Sequence, residues 1–91
     1  MLFQPPLYMN LEIKNYVAIS ESGLIFNPAT GESFSVNAIG LDILHYLKIK
    51  TEYKDIQDFI LTKYDIDIEI FERDFHDFVN CLRIYDLVKD N

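Results

Sequence analysis

Two histidines, one cysteine and a surplus of acids are the side chains of this 91-residue chain with the means to do chemistry. His45 and His76 fall on different predicted helices, and neither has a second ligand pair at the spacing that zinc requires. Structural or solvated imidazoles are expected, with no metal. Cys81 is predicted mid-helix, without the CxxC partner or helix N-terminal setting that lowers a thiol pKa; it reads as a core or groove residue. "DIDIE", residues 65 to 69, has the opening of a calcium loop but not the Gly and distal Glu of the twelve-residue form. Its acids suit the N-terminus of a following helix. Glu72 and Asp77 could be paired as acid and base, yet no buried pocket is indicated that would split their pKa values. No Gly-rich phosphate loop, no G-x-S-x-G elbow and no Asp-Ser-Leu carrier motif occurs. The expectation is a protein that is not an enzyme and needs no cofactor, so its function must reside in a surface.

The surface is acidic. The formal charge is −7, and most of it lies in residues 51 to 91, which hold eleven acids against five bases. That field repels phosphate backbones, so nucleic acid is not expected as a partner. A single small domain is indicated, and domains of this size bury only about 60 to 65% of the surface their unfolded chain exposes. Grooves are therefore expected rather than deep pockets. One cysteine permits no internal disulfide. No apolar run nears the roughly 20 residues needed to span a bilayer, and "MLFQPPLYMN" lacks a basic signal-peptide start. A cytoplasmic protein with no membrane partner is expected.

The elements that must build the surface are legible in the periodicity. Residues 1 to 10 contain Pro5-Pro6 and no period, which predicts an arm outside the core; residues 11 to 91 form the domain. Leu11, Ile13, Val17 and Ile19 alternate, interrupted at Asn15, and predict a strand over 11 to 20. Leu24 to Phe26 is a second strand, Asn27-Pro28-Ala29-Thr30-Gly31 a reversal, and Phe34 with Val36 a third strand. Residues 11 to 36 then read as a three-stranded antiparallel meander. At Asn37, a predicted N-cap, the period changes to 3.6. Gly40, Ile43, Leu44 and Leu47 line a first helix; Ile56, Phe59, Ile60 and Tyr64 a second. Phe71, Phe75, Phe78, Leu82 and Tyr85 give a third helix the most regular apolar stripe in the chain. Beside it runs a weaker line, Ile70, Cys81 and Ile84, interrupted by Arg73, Asp74 and Asp77; a helix with two apolar lines can bury one and offer the other. The fold class is α+β, three strands and then three helices, the ingredients of a winged helix-turn-helix-like domain.

"LIFNPATGESFSVNAIGLDILHYL", "DIQDFILTKYDID" and "DFHDFVNCLRIYDLV", in that order, resemble the precursor-peptide recognition elements typified by the pyrroloquinoline quinone biosynthesis protein D (PqqD) family, over about residues 17 to 88. The matching features are Gly31 before Phe34-Ser35-Val36-Asn37, the small Gly40 ahead of Ile43-Leu44, and the third-helix pattern from Asp74 through Phe75 and Phe78 to Leu82. Two departures stand out. Asp86 replaces the Gly expected before the final Leu-hydrophobic pair, a residue that tolerates left-handed backbone better than most, and no Gly follows the first helix in "KIKTE".

The resemblance implies a small winged helix-turn-helix-like domain that captures the leader segment of a ribosomally made precursor peptide. It would present that leader to a separate modifying enzyme: a radical enzyme, protease or cyclase. The leader would add as a strand to the third strand of the meander, a β-augmentation in which main-chain bonds give affinity and side-chain pockets give register. The implied peptide-binding residues are Ser33, Phe34, Ser35 and Val36 on the edge, with Ile70, Arg73, Asp77, Cys81 and Ile84 on the facing helix. A winged-helix transcriptional regulator, or a module binding one, shares the ingredients, but its recognition helix should be basic, and "EIFERDFHDFVNCLR" is not.

Overall fold

A computed structural model describes residues 11–90 of the chain; the arm expected over residues 1 to 10 lies outside them. In order the elements are β1 (Leu11–Ile13), β2 (Ala18–Ile19), β3 (Leu24–Asn27), β4 (Glu32–Ser35), α1 (Ala38–Lys48), α2 (Tyr53–Tyr64), α3 (Ile68–Ile84) and β5 (Val88–Asp90). An antiparallel sheet of order β2-β3-β4 precedes the three helices, as the α+β reading requires. The strand expected over residues 11 to 20 is in fact two. A turn closed by the Val17 N–H on the Lys14 carbonyl (3.1 Å) breaks it around Asn15, where the alternation had faltered. β1 turns away and pairs antiparallel with β5, Leu11 opposite Asp90 and Ile13 opposite Val88. That two-stranded sheet, and β5 itself, had no counterpart in the periodicity, because three residues cannot display one.

The core gathers Ile25 from the sheet, Ile43, Leu44 and Leu47 from α1, Ile56 and Ile60 from α2, and Phe71, Phe75, Val79 and Leu82 from α3. Each such side chain contributes roughly 1.5–3 kcal/mol by leaving water. Helix ends are closed in three ways. Asn37 caps α1, its Oδ1 accepting the Gly40 N–H at 2.8 Å. Glu52 and Asp67 begin α2 and α3 without a side-chain cap bond. At the C-termini, Lys50 (φ 61°) and Asp86 (φ 58°) adopt the left-handed conformation just beyond α1 and α3. The Thr51 N–H then bonds the Tyr46 carbonyl and the Leu87 N–H the Leu82 carbonyl, both at 2.9 Å. These are the two places where glycine was missing, and the Schellman geometry that glycine usually serves forms without it.

Candidate functional site

β4 is an edge strand: its one sheet neighbour among the described residues is β3. Which of its backbone groups are free follows from one bond. The Val36 N–H donates to the Gly23 carbonyl at 2.9 Å, and in an antiparallel ladder successive residues face opposite sides. Phe34, opposite Ile25, therefore shares the inward parity of Val36. Ser33 and Ser35, opposite Phe26 and Leu24, turn their N–H and C=O groups outward. The side chains divide the same way. Ile25 is buried beneath Phe34 and Val36, while Leu24, Phe26, Ser33 and Ser35 are exposed on the outer face. The edge thus presents two residues' worth of unused main chain and one apolar face directed at α3.

Between β4 and α3 runs a groove of about 420 Å³. Phe34, Ser35 and Val36 form one wall, Phe78, Cys81 and Tyr85 the other, with Ile25, Leu82 and Leu87 on the floor. The Phe34 and Tyr85 rings meet at one end, centroids 4.2 Å apart. At Asn37, Phe78 and Cys81 the groove opens into a second chamber of about 290 Å³ between the N-terminal half of α1 and the middle of α3. Ile39, Gly40 and Ile43 line this chamber from α1, and Asp74 and Asp77 stand on its α3 side. A Cβ on Gly40 would lie 3.2 Å from the Val36 Cβ and 3.5 Å from Phe78, so the glycine keeps the passage between the chambers open.

The groove ends are fixed by Asn27, the buried polar side chain of the sheet. Its Oδ1 accepts the Ala29 N–H at 3.0 Å, holding the β3–β4 turn, and its Nδ2 donates to the Tyr85 carbonyl at 3.4 Å. One residue therefore ties the hairpin to the C-terminus of α3. Further away, Asp42 of α1 accepts from Lys63 Nζ (2.8 Å) and Tyr64 Oη (2.6 Å) of α2. Partial burial pushes the Asp42 pKa up, but the two donors outweigh it and hold the carboxyl below its ordinary value. The same contacts raise Lys63 and Tyr64.

Of the residues expected to bind peptide, Phe34, Ser35, Val36, Asp77 and Cys81 line the grooves. Ser33 lies on the same edge. Ile70, Arg73 and Ile84 are exposed on α3 outside both linings, Ile84 at 76%. The expected core stripe of α3 is divided between core and groove. Phe71, Phe75 and Leu82 are buried, but the fourth core position is Val79. Phe78 is half-buried and Tyr85 is 41% exposed; both turn to the groove. Their spacing averages 3.5 against 3.6 residues per turn, so the stripe drifts about 40° from Phe71 to Tyr85. That drift is the signal that separates groove from core. On α2, Phe59 is likewise half exposed and stacks on Tyr46. The described residues hold no group of three or more His, Cys, Asp or Glu placed to bind a metal ion. His76 shares a hydrogen bond with Asn80, at 3.3 Å.

The family model described as Coenzyme PQQ synthesis protein D (PqqD) matches residues 22–88. The chain belongs to the PqqD family. Its matched span runs from the turn before β3 to the start of β5, so every lining residue of both grooves lies inside it. Among solved structures the chain is similar to one described as TbiB1 in complex with the TbiA(beta) leader peptide. The two share 26% sequence identity with a TM-score of 0.75, over 86% of this chain and 94% of the other. No curated protein matches the chain. None of the described helices is long and apolar enough to cross a membrane.

Proposed function

We propose that this PqqD-family chain is a non-catalytic adaptor that binds the leader segment of a ribosomally synthesised precursor peptide and presents it to a separate modifying enzyme. The observation that carries the reading is the outward backbone of Ser33 and Ser35 set beside an apolar groove, in a fold similar to a protein solved with a leader peptide. The leader adds as a strand along β4 and exchanges main-chain bonds with those two serines. Its alternate side chains enter the groove against Phe34, Phe78, Cys81 and Tyr85. Exposed edges are sites of unwanted association that proteins ordinarily blunt with charge, proline or a covering element. Ser33 and Ser35 do none of these things, in keeping with an edge kept for use.

No observation favours the transcriptional-regulator reading. α3 presents Asp74 and Asp77 where a DNA-reading helix presents Arg and Lys. The test is fluorescence anisotropy with two probes: a synthetic leader segment from any short precursor-peptide gene found beside this one, and a duplex DNA of random sequence. Saturable binding of the leader and none of the duplex at physiological salt is expected. Duplex binding in the micromolar range or tighter, with no leader binding, refutes the adaptor reading.

A further inference from the structure

The chamber between α1 and α3 differs in chemistry from the groove along β4. Both are apolar below, but two carboxylates, Asp74 and Asp77, one turn apart on α3, stand on the second alone. Asp74 has a long, exposed contact with the neighbouring Arg73 (3.4 Å), a kind of pair worth little. Asp77 has no ion-pair or hydrogen-bond partner among the described residues. The N-terminus of α1 brings about half a positive charge to the same place, part of it engaged by the Asn37 side chain. The mouth of the chamber therefore remains negative. Its depth is lined by Ile39, Ile43 and Phe78, and the passage from the groove is clear of any side chain at Gly40.

We infer that this chamber is a specificity subsite for one basic residue of the leader, an Arg or Lys beyond the segment paired with β4. Its aliphatic stem would lie on Ile39 and Phe78, and its cationic head between Asp74 and Asp77. The inference rests on the leader-binding reading and adds what that reading leaves open, the chemical class of a recognised side chain. Long cationic side chains suit such a site because they bury their stems while keeping their heads in water. An acidic leader residue would meet two like charges there.

A displayed library of random 14-residue peptides, selected on the full chain, tests both layers. Peptides with alternating apolar positions are expected, carrying Arg or Lys at one fixed offset from them. The offset preference should vanish when selection is repeated on the Asp74→Asn/Asp77→Asn variant, whose exposed substitutions leave the core untouched. For a single selected peptide, Arg→Gln should weaken binding roughly fivefold on the unmodified chain, the scale of a solvent-exposed ion pair, and not on the double variant. Two results overturn the subsite while sparing the edge: Ser35→Pro-sensitive peptides with no basic position, or a basic preference that survives in the double variant. Selection of no Ser35→Pro-sensitive peptide overturns both.

Discussion

Replacing Ser35 with proline removes one backbone N–H from the last residue of β4, and the register says which ladder loses it. The Val36 N–H is bonded to Gly23 at 2.9 Å, so the Ser35 N–H faces away from β3 and the sheet loses nothing. Proline is tolerated on an edge strand when its nitrogen faces solvent, and the residue before it, Phe34, is already extended, as proline demands. The folded state should survive with a melting temperature near that of the unmodified chain. Leader binding should not. One intermolecular bond is lost and a leader carbonyl is left facing a proline ring, a cost of about 1 to 3 kcal/mol, or roughly five- to 150-fold in Kd. Val36→Pro is the control of opposite parity: it deletes the bond to Gly23 and should lower stability while the outward edge remains. Circular dichroism melts and leader anisotropy on both variants decide the matter. A folded Ser35→Pro that binds the leader as tightly as the unmodified chain refutes strand addition at β4. A Ser35→Pro that unfolds while Val36→Pro does not refutes the parity assignment.

Four further substitutions concern the scaffold. Gly23 has φ 93°, and a Cβ there would sit 2.6 Å from the Val36 carbonyl oxygen; Gly23→Ala should destabilise by roughly 2 to 4 kcal/mol in urea melts and weaken leader binding through β4. Asp42→Asn should reduce stability at neutral pH by about 1 kcal/mol. Because the folded pKa of Asp42 is depressed, its contribution is present above the ordinary carboxylate pKa and is lost as pH falls through the folded value. The difference between the two proteins should begin to shrink in acid melts as pH falls below about 4 and close below the depressed folded value; a constant difference refutes the role of charge. Lys50→Gly should stabilise by about 0.5 to 1 kcal/mol, relieving the left-handed backbone. Asp86→Gly should gain less than half as much, because it severs a 2.6 Å bond to Lys14, whereas Lys50→Gly gives up only a longer, 3.3 Å pair with Glu12.

The long periodic elements were legible from residues alone. Gly40, Ile43, Leu44 and Leu47 occupy the buried face of α1 as their spacing dictates, and Asn37 caps it. The resemblance, not the periodicity, set the third strand and the third helix against each other as an expected site, and a groove lies between them. What escaped was short or depended on the fold. β1 and β5 have three residues each, and their pairing joins the two ends of the described chain, a distance no local window spans. Asn27 announced a turn, but its reach to Tyr85 is a tertiary fact. On α3, hydrophobicity alone could not tell Val79, in the core, from Phe78, in the groove; only their angular difference of about 100° does. Ile70 and Ile84, expected in the site, are apolar and exposed one step around the helix from the lining.

The pairing of β1 with β5 places Leu11 directly across from Asp90, so the described chain enters and leaves at one spot, about 5 Å apart as in any antiparallel pair. Neither strand contributes a residue to the lining of either groove. A domain with adjacent entry and exit points can be set into a surface loop of a larger enzyme through two short tethers, with the host chain continuing almost where it stopped. The same adjacency permits a circular permutant, closed by a few residues between Asp90 and Leu11 and reopened between α1 and α2. In either form the β4 edge would keep its register, and recognition could be transplanted as a cassette onto a catalyst that has none.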